Sequence, residues 1–269
     1  MPYALGIIGA GNMAEAIARG VLTKQLLRPS EIIAADTSPQ RRELFTNELR
    51  IKAVEDNAAA SDARMILLSV KPQHMAAALA AIAPVLSPKT LIVSIAAGIS
   101  TAFIEKHLGG GKAWRVIRTM PNTPMLVGEG MAAMAAGKNA TKDDLAAARK
   151  LFEAAADVIE VDEDKMDAVT AVSGSGPAYF FFLVEQMIRA ATELGMTPEQ
   201  AKLLATKTAA GAAKMLATSA DPPDVLRRKV TSPGGTTEAA ISHMTKQNWP
   251  QITVDAIKAA EQRGRELGS

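Results

Sequence analysis

The string Gly6-Ile7-Ile8-Gly9-Ala10-Gly11-Asn12-Met13-Ala14 is the first stretch of the chain whose spacing carries chemistry. In its GxGxxA form, Gly9 serves a tight turn, Gly11 lets a pyrophosphate approach the backbone, and Ala14 allows close helix packing. Ala10 belongs to the same turn. Backbone N–H groups from Asn12 and Met13 onward would face bound phosphate at the positive end of a helix. An apolar run precedes this string and helical spacing follows it, so the chain predicts a dinucleotide site. Asp36 ends the next apolar run. An acid there accepts hydrogen bonds from the ribose 2′-hydroxyl and suits NAD(H). Thr37, Ser38, Arg41 and Arg42 follow at once, and hydroxyls beside a guanidinium suit the 2′-phosphate of NADP(H). NADP(H) is slightly favoured and NAD(H) stays open; Arg41 and Arg42 also read as ordinary solvated helix residues.

A second constellation is Val230-Thr231-Ser232-Pro233-Gly234-Gly235-Thr236-Thr237. Ser232 and Pro233 punctuate the chain, Gly234 and Gly235 expose backbone N–H groups, and a helix is expected from about Thr236. Such a helix start binds an anion, here a carboxylate. Two glycines followed by two threonines exceed what a plain helix cap needs. Two further loops, Ser69-Val70-Lys71-Pro72 and Ser94-Ile95-Ala96-Ala97-Gly98, end strand patterns, where ligands of open parallel sheets bind. Ala96, Ala97 and Gly98 leave room for a nicotinamide ring; Lys71 reads as a phosphate contact or a surface lysine. Met120-Pro121-Asn122-Thr123-Pro124 directs Asn122 toward a cofactor or is ordinary turn chemistry. In Ser173-Gly174-Ser175-Gly176-Pro177 the serines touch substrate or the glycines kink a helix. Phe180-Phe181-Phe182 reads as core or dimer interface.

The elements that must position these residues fall into two halves. Strand patterns cover Tyr3–Ile8, Ile32–Asp36, Met65–Val70, Leu91–Ile95 and Trp114–Met120. They are nearly continuous apolar runs, as parallel strands covered on both faces require. Helical patterns Met13–Leu22, Pro39–Leu49 and His74–Ala83 lie between them. This order predicts an α/β fold, a doubly wound, Rossmann-type, mostly parallel sheet over residues 1–162. Met131–Ala135 and Val158–Val161 add a hairpin or edge pair, with a helix between them from Thr141 and a partial capping box at Asp144. Residues 163–269 predict an all-helical domain. There Lys165–Leu194 is interrupted by the glycine-serine string, Thr197-Pro198 opens a helix to about Ser219, and Asn248-Trp249-Pro250 starts the last one. Small residues at Ala209–Ala213 suit a subunit interface or a core within one monomer.

Composition narrows the function classes. Hydrophobic residues at 48% and charged residues at 22% allow both a core and solubility. The 30 basic and 28 acidic residues are interspersed, which leaves no footprint for nucleic acid. No apolar run reaches the ~18 residues of a membrane span, and the apolar start lacks a basic leader, so it reads as a strand and the expected location is cytoplasmic. Without cysteine there is no disulfide, thiolate metal site or cysteine nucleophile. His74, His107 and His243 form no ligand pattern, and no metal is expected.

With the strings at Met120–Pro124, Ser173–Tyr179 and Val230–Thr237 in that order, the chain resembles pyrroline-5-carboxylate reductases along nearly its whole length. The resemblance implies NAD(P)H in the first domain, a cyclic imine acid as substrate and L-proline as product. It also implies a homodimer with intertwined helical domains, in some members assembled into larger rings such as decamers. Carried over by position, Thr237 would contact the ring nitrogen, and the backbone of Gly235, Thr236 and Thr237 would hold the carboxylate. The imine acid would sit between nicotinamide and this loop, often contributed by the partner subunit. Asn57 matches a contact to the adenosine end of the cofactor, although the segment from there to Val70 is one residue short. Glu163 matches an acid near the substrate. A second family glutamate falls at Ala220, with Asp221 beside it.

The residues fit the implied chemistry. A protonated imine is already electrophilic, and hydride addition cancels its charge, so the protein need only hold donor and acceptor in register and exclude water. A hydroxyl such as Thr237 suffices to orient the nitrogen. A keto or hydroxy acid substrate would instead require a proton donor. Lys202, Lys207 and Lys214 keep that alternative open, and a non-catalytic dinucleotide sensor is the third reading.

Overall fold

The computed structural model describes residues 3–109 and 111–268. In chain order the first half comprises β1 (Tyr3–Ile8), α1 (Asn12–Thr23), β2 (Ile32–Ala35), α2 (Pro39–Asn47), β3 (Lys52–Val54), α3 (Asn57–Ala60), β4 (Ala63–Leu68), α4 (Met75–Ile82), β5 (Leu91–Ser94), α5 (Thr101–His107), β6 (Arg115–Pro121), β7 (Gly130–Ala136), α6 (Lys142–Phe152) and β8 (Ala156–Glu160). Helices follow: α7 (Met166–Val169), α8 (Gly176–Glu193), α9 (Pro198–Thr218), α10 (Pro223–Lys229), α11 (Thr236–Lys246) and α12 (Trp249–Gly268).

The strands form one sheet in the order β3-β2-β1-β4-β5-β6-β7-β8. All neighbours pair in parallel except β6 and β7, which are antiparallel. The five expected strands are all present. β3 is an addition: three residues beginning at the exposed Lys52 are too short to show a period, and pairing with β2 makes them a strand. β7 and β8 form the expected pair at the sheet edge, but not a hairpin, because α6 crosses between them and returns β8 parallel to β7.

Alternation on β1 explains the layering. Leu5 and Ile7 enter one core layer with Ile17, Val21 and Phe152, while Ile8 enters the other with Ile66 and Leu79. Each such fully buried side chain contributes ~1.5–3 kcal/mol. Helix starts are fixed by short polar side chains. Ser38 accepts the Arg41 N–H, Ser100 that of Phe103, and Thr141 with Asp144 closes a full capping box. Thr197 and Gln200 form another at α9.

The chain divides into two compact units, one of the described residues up to Ser175 together with those from Ala260, the other Gly176–Ala259. In place of the expected interruption in the Ser173–Pro177 string, residues 170–174 form a π turn, in which Ser175 N–H donates to the Thr170 carbonyl at 2.8 Å. The short α10 is a further element that the sequence reading passed over. The second unit is all-helical and sparsely cored: its buried apolar side chains are Ala201 and Ala205. Phe180, Phe181 and Phe182 are all more than 60% exposed, so in a single chain they are not core.

Candidate active site

Strand order reverses between β1 and β4, and the carboxyl ends of these two strands carry Gly9 and Ser69. Gly9 has φ +94°, and a Cβ there would stand 2.9 Å from Ser69 backbone, so only glycine fits the turn on both counts. Gly11 is the opposite case. A Cβ there would meet nothing within 4 Å, and the helix it begins, α1, has no side-chain cap. The first N–H groups of α1, from Asn12 and Met13, thus begin a helix with no side-chain cap beside an open glycine, as a pyrophosphate requires. The residues present fit a dinucleotide.

Asp36 follows β2 and ties the neighbouring loops together. Its carboxylate accepts from Ala10 N–H at 2.7 Å and from Ser38 N–H at 2.8 Å. Arg41 donates to the Ala10 carbonyl at 2.5 Å and pairs with Glu15 at 2.8 Å. Burial opposes ionisation of Glu15, but hydrogen bonds from Arg19 and Arg41 outweigh it and hold the carboxyl below its ordinary range. Arg42 donates to the carbonyls of Asp36 and Thr37 at 2.8 and 2.9 Å and pairs with Glu55. Both arginines therefore brace the strand end instead of being simply solvated. Asn57 begins α3, where Asp56 caps Ala58 N–H. The loops after β4 and β5 stand beside each other, since Ile95 N–H donates to the Leu68 carbonyl. Val70 is half-buried and Lys71 exposed, and Pro72 starts a short 3-10 turn. Ala96 is buried, and Gly98 takes φ +76°.

Asn122 is committed within the chain: its carbonyl accepts from Met131 N–H at 2.9 Å and its amide donates to Ser173 at 3.3 Å. Glu163 is likewise engaged. Its two oxygens accept the backbone N–H and hydroxyl of Thr101, each at 2.7 Å, at the start of α5. Any contact with substrate would use the remaining lone pairs. Beneath it lies a group that the sequence reading missed. Arg118, 5% exposed, pairs with Asp167 at 2.7 Å and approaches Glu163 at 4.0 Å. The signal was an arginine inside the apolar run of β6. Glu105 stands near, its Oε1 without a hydrogen-bond partner. Burial first, then the charge of Glu163, pushes its carboxyl above the ordinary range, against a smaller opposing effect of Lys138.

In the second unit α11 begins at Thr236 with Gly235 at its N-cap and no side-chain cap. Gly234 has φ +71°, and its N–H donates to Glu238 at 2.6 Å. Thr236 and Thr237 occupy the first turn. Ser219 and Lys229 bind Asp221, and the lysine holds its carboxyl below the usual range.

A sheet whose order reverses at a glycine turn and an open helix start belongs to the doubly wound class of dinucleotide-binding proteins. Comparison narrows the class. Residues 163–267 match the family model for pyrroline-5-carboxylate reductase dimerisation, and residues 4–98 that for NADP oxidoreductase, coenzyme F420-dependent. A pyrroline-5-carboxylate reductase of Pseudomonas aeruginosa is 43% identical over 265 residues, 98% of this chain and 96% of the relative. A solved pyrroline-5-carboxylate reductase from Coxiella burnetii has a TM-score of 0.89 at 36% identity, covering 100% of both chains. That of Plasmodium falciparum with NADP bound has 0.88 at 28% identity, covering 99% of this chain and 98% of the other. The chain belongs to the pyrroline-5-carboxylate reductase family. Among the described residues no helix is long and apolar enough to cross a membrane.

Proposed function

We propose that this protein reduces 1-pyrroline-5-carboxylate to L-proline with NADPH or NADH, in the cytoplasm, as the last step of proline biosynthesis. Residues 1–162 bind the nucleotide and residues 163–269 bind substrate and hold the homodimer. The full-length likeness to curated reductases carries this reading. NADP(H) is slightly favoured, in line with the NADP-bound Plasmodium relative and with the NADP-oxidoreductase match.

When bound, the reduced nicotinamide supplies the hydride. The residues that hold the nucleotide are the Gly9–Met13 turn for the pyrophosphate, Asp36, Thr37 and Ser38 for the adenosine ribose, and Asn57 for the adenosine end. Val70, Lys71, Pro72, Ala96, Ala97, Gly98 and Asn122 complete its lining. The N–H groups of Thr236 and Thr237 hold the substrate carboxylate, supported by the lack of a side-chain cap on α11, whereas the Gly235 N–H already donates to the Ser232 carbonyl at 3.0 Å. The Thr237 hydroxyl orients the ring nitrogen. Glu163, the acid expected near the substrate, fixes the start of α5 through Thr101, just after the Ala96–Gly98 loop. The imine carbon is electrophilic before hydride arrives, so these positions need supply no strong acid or base.

Oxidation of NADPH and of NADH by pyrroline-5-carboxylate tests the activity, with keto acids as the comparison; turnover of keto acids but not the imine would overturn it. Thr237→Ala should lower kcat/KM for the imine about tenfold or more, the value of a lost oriented hydrogen bond. Nucleotide affinity should stay within twofold. Unchanged turnover would remove Thr237 from the mechanism.

A further inference from the structure

The opposite end of the strands carries a cleft of about 510 Å³, at the amino ends of β1, β4, β5 and β6. Ala4 in this cleft and Gly9 in the nucleotide turn stand at the two ends of β1, roughly 16 Å apart at a strand rise of ~3.3 Å per residue. The volume lies within the ~300–1,000 Å³ of small-molecule sites. Its floor is apolar, with buried Leu5, Val21, Leu91 and Leu151, and Leu26 is 46% exposed among its lining residues. Three cations line it, Arg64, Arg115 and Lys150, against one carboxylate, Asp144.

That carboxylate is already used. Asp144 is 4% exposed, pairs with Arg115 at 2.8 Å and accepts the Thr141 N–H and hydroxyl at 2.9 Å. Arg115 also donates to the Lys89 carbonyl. Glu31 lies close enough to feel Arg64, but it is bound by Arg28 and does not line the cleft. Arg64 and Lys150 are exposed beside an apolar floor, so the charge left over is positive. A ligand ammonium would find no carboxylate to pair with and would face like charge, which a partly desolvated site penalises.

We propose that this cleft binds an amphipathic monocarboxylate, an acid group on a hydrocarbon body, with the acid at Arg64 and Lys150 and the hydrocarbon on the accessible Leu26, Leu27 and Met65. It takes neither amino acids nor hydrocarbon amines. It is separate from the reductase site, and its test does not depend on which substrate that site reduces.

The probe is decanoate, titrated calorimetrically into the intact oligomer, with decylammonium and L-proline as comparisons. Saturable binding of one decanoate per chain is expected, with neither comparison binding. Arg64→Ala with Lys150→Ala should weaken decanoate about tenfold or more. Ala147→Trp, which fills the cleft, should abolish binding while NADPH-dependent turnover stays within twofold. If that variant fails to fold, Leu26→Asp at an exposed position should weaken decanoate by a similar tenfold. Absence of saturation, equal binding of decylammonium, or affinity unmoved by these variants would overturn the proposal.

Discussion

At Asp36 an observed structural role meets a proposed binding role. The carboxylate holds Ala10 and Ser38 by their N–H groups, and its charge stands at the strand end where the adenosine ribose binds in this class. A 2′-hydroxyl finds an acceptor there, whereas a 2′-phosphate meets a negative charge partly offset by the Arg42 guanidinium on the Asp36 and Thr37 carbonyls. Asp36→Asn keeps the size and removes the charge, at the loss of one of the two N–H bonds, because one oxygen becomes an amide donor. The ratio of kcat/KM for NADPH over NADH should then rise about tenfold, the value of one charge-assisted hydrogen bond exchanged for relief of repulsion. Steady-state kinetics with both nucleotides check this, and an unchanged ratio would place the ribose away from Asp36. The type of this residue was plain in the sequence. Its grip on Ala10 was not, because a bond between residues 26 apart depends on how β1 and β2 pair.

Helix starts differ in how they are closed. Ser38, Ser100, Thr141 and Thr197 close their helices with their own side chains; α1 and α11 begin on glycines and have none, and α4, α7 and α10 also lack a side-chain cap. These patterns were legible, since capping residues and glycine pairs are local signals. The charged group under α5 was not, because Arg118, Asp167, Glu163 and Glu105 come together only through tertiary packing. It carries a pH signature. Glu105 has a raised folded-state pKa, so its favourable contribution is complete below the ordinary carboxylate pKa and is lost as pH rises through the raised value. Glu105→Gln should therefore raise Tm at neutral pH, with the gain shrinking toward zero in acid, as thermal melts across pH will show. A Tm lowered at neutral pH would mean that the ionised carboxylate is satisfied after all.

For the whole molecule the two halves differ in how they meet water. The first unit closes layers over both faces of its sheet, as its continuous apolar strands led one to expect. The second leaves Phe180, Phe181, Phe182, Leu203 and Leu204 exposed on α8 and α9, large apolar side chains of the kind that interaction surfaces carry. In the sequence the same residues were ambiguous, since an aromatic run looks alike whether the neighbouring surface belongs to its own chain or to another. The family's dimerisation region includes all of them. Phe181→Asp should shift the species seen by light scattering from oligomer to monomer or aggregate and remove activity; an intact, active oligomer would place the interface elsewhere.

A unit, Gly176–Ala259, whose buried apolar side chains are Ala201 and Ala205 ties its stability to the encounter with a partner. Specific activity should then climb with protein concentration, and dilution should inactivate the enzyme with a lag set by subunit separation. By mass action the melting midpoint of dilute samples should fall below that of concentrated ones. For this chain, abundance is itself a control on how much of it works.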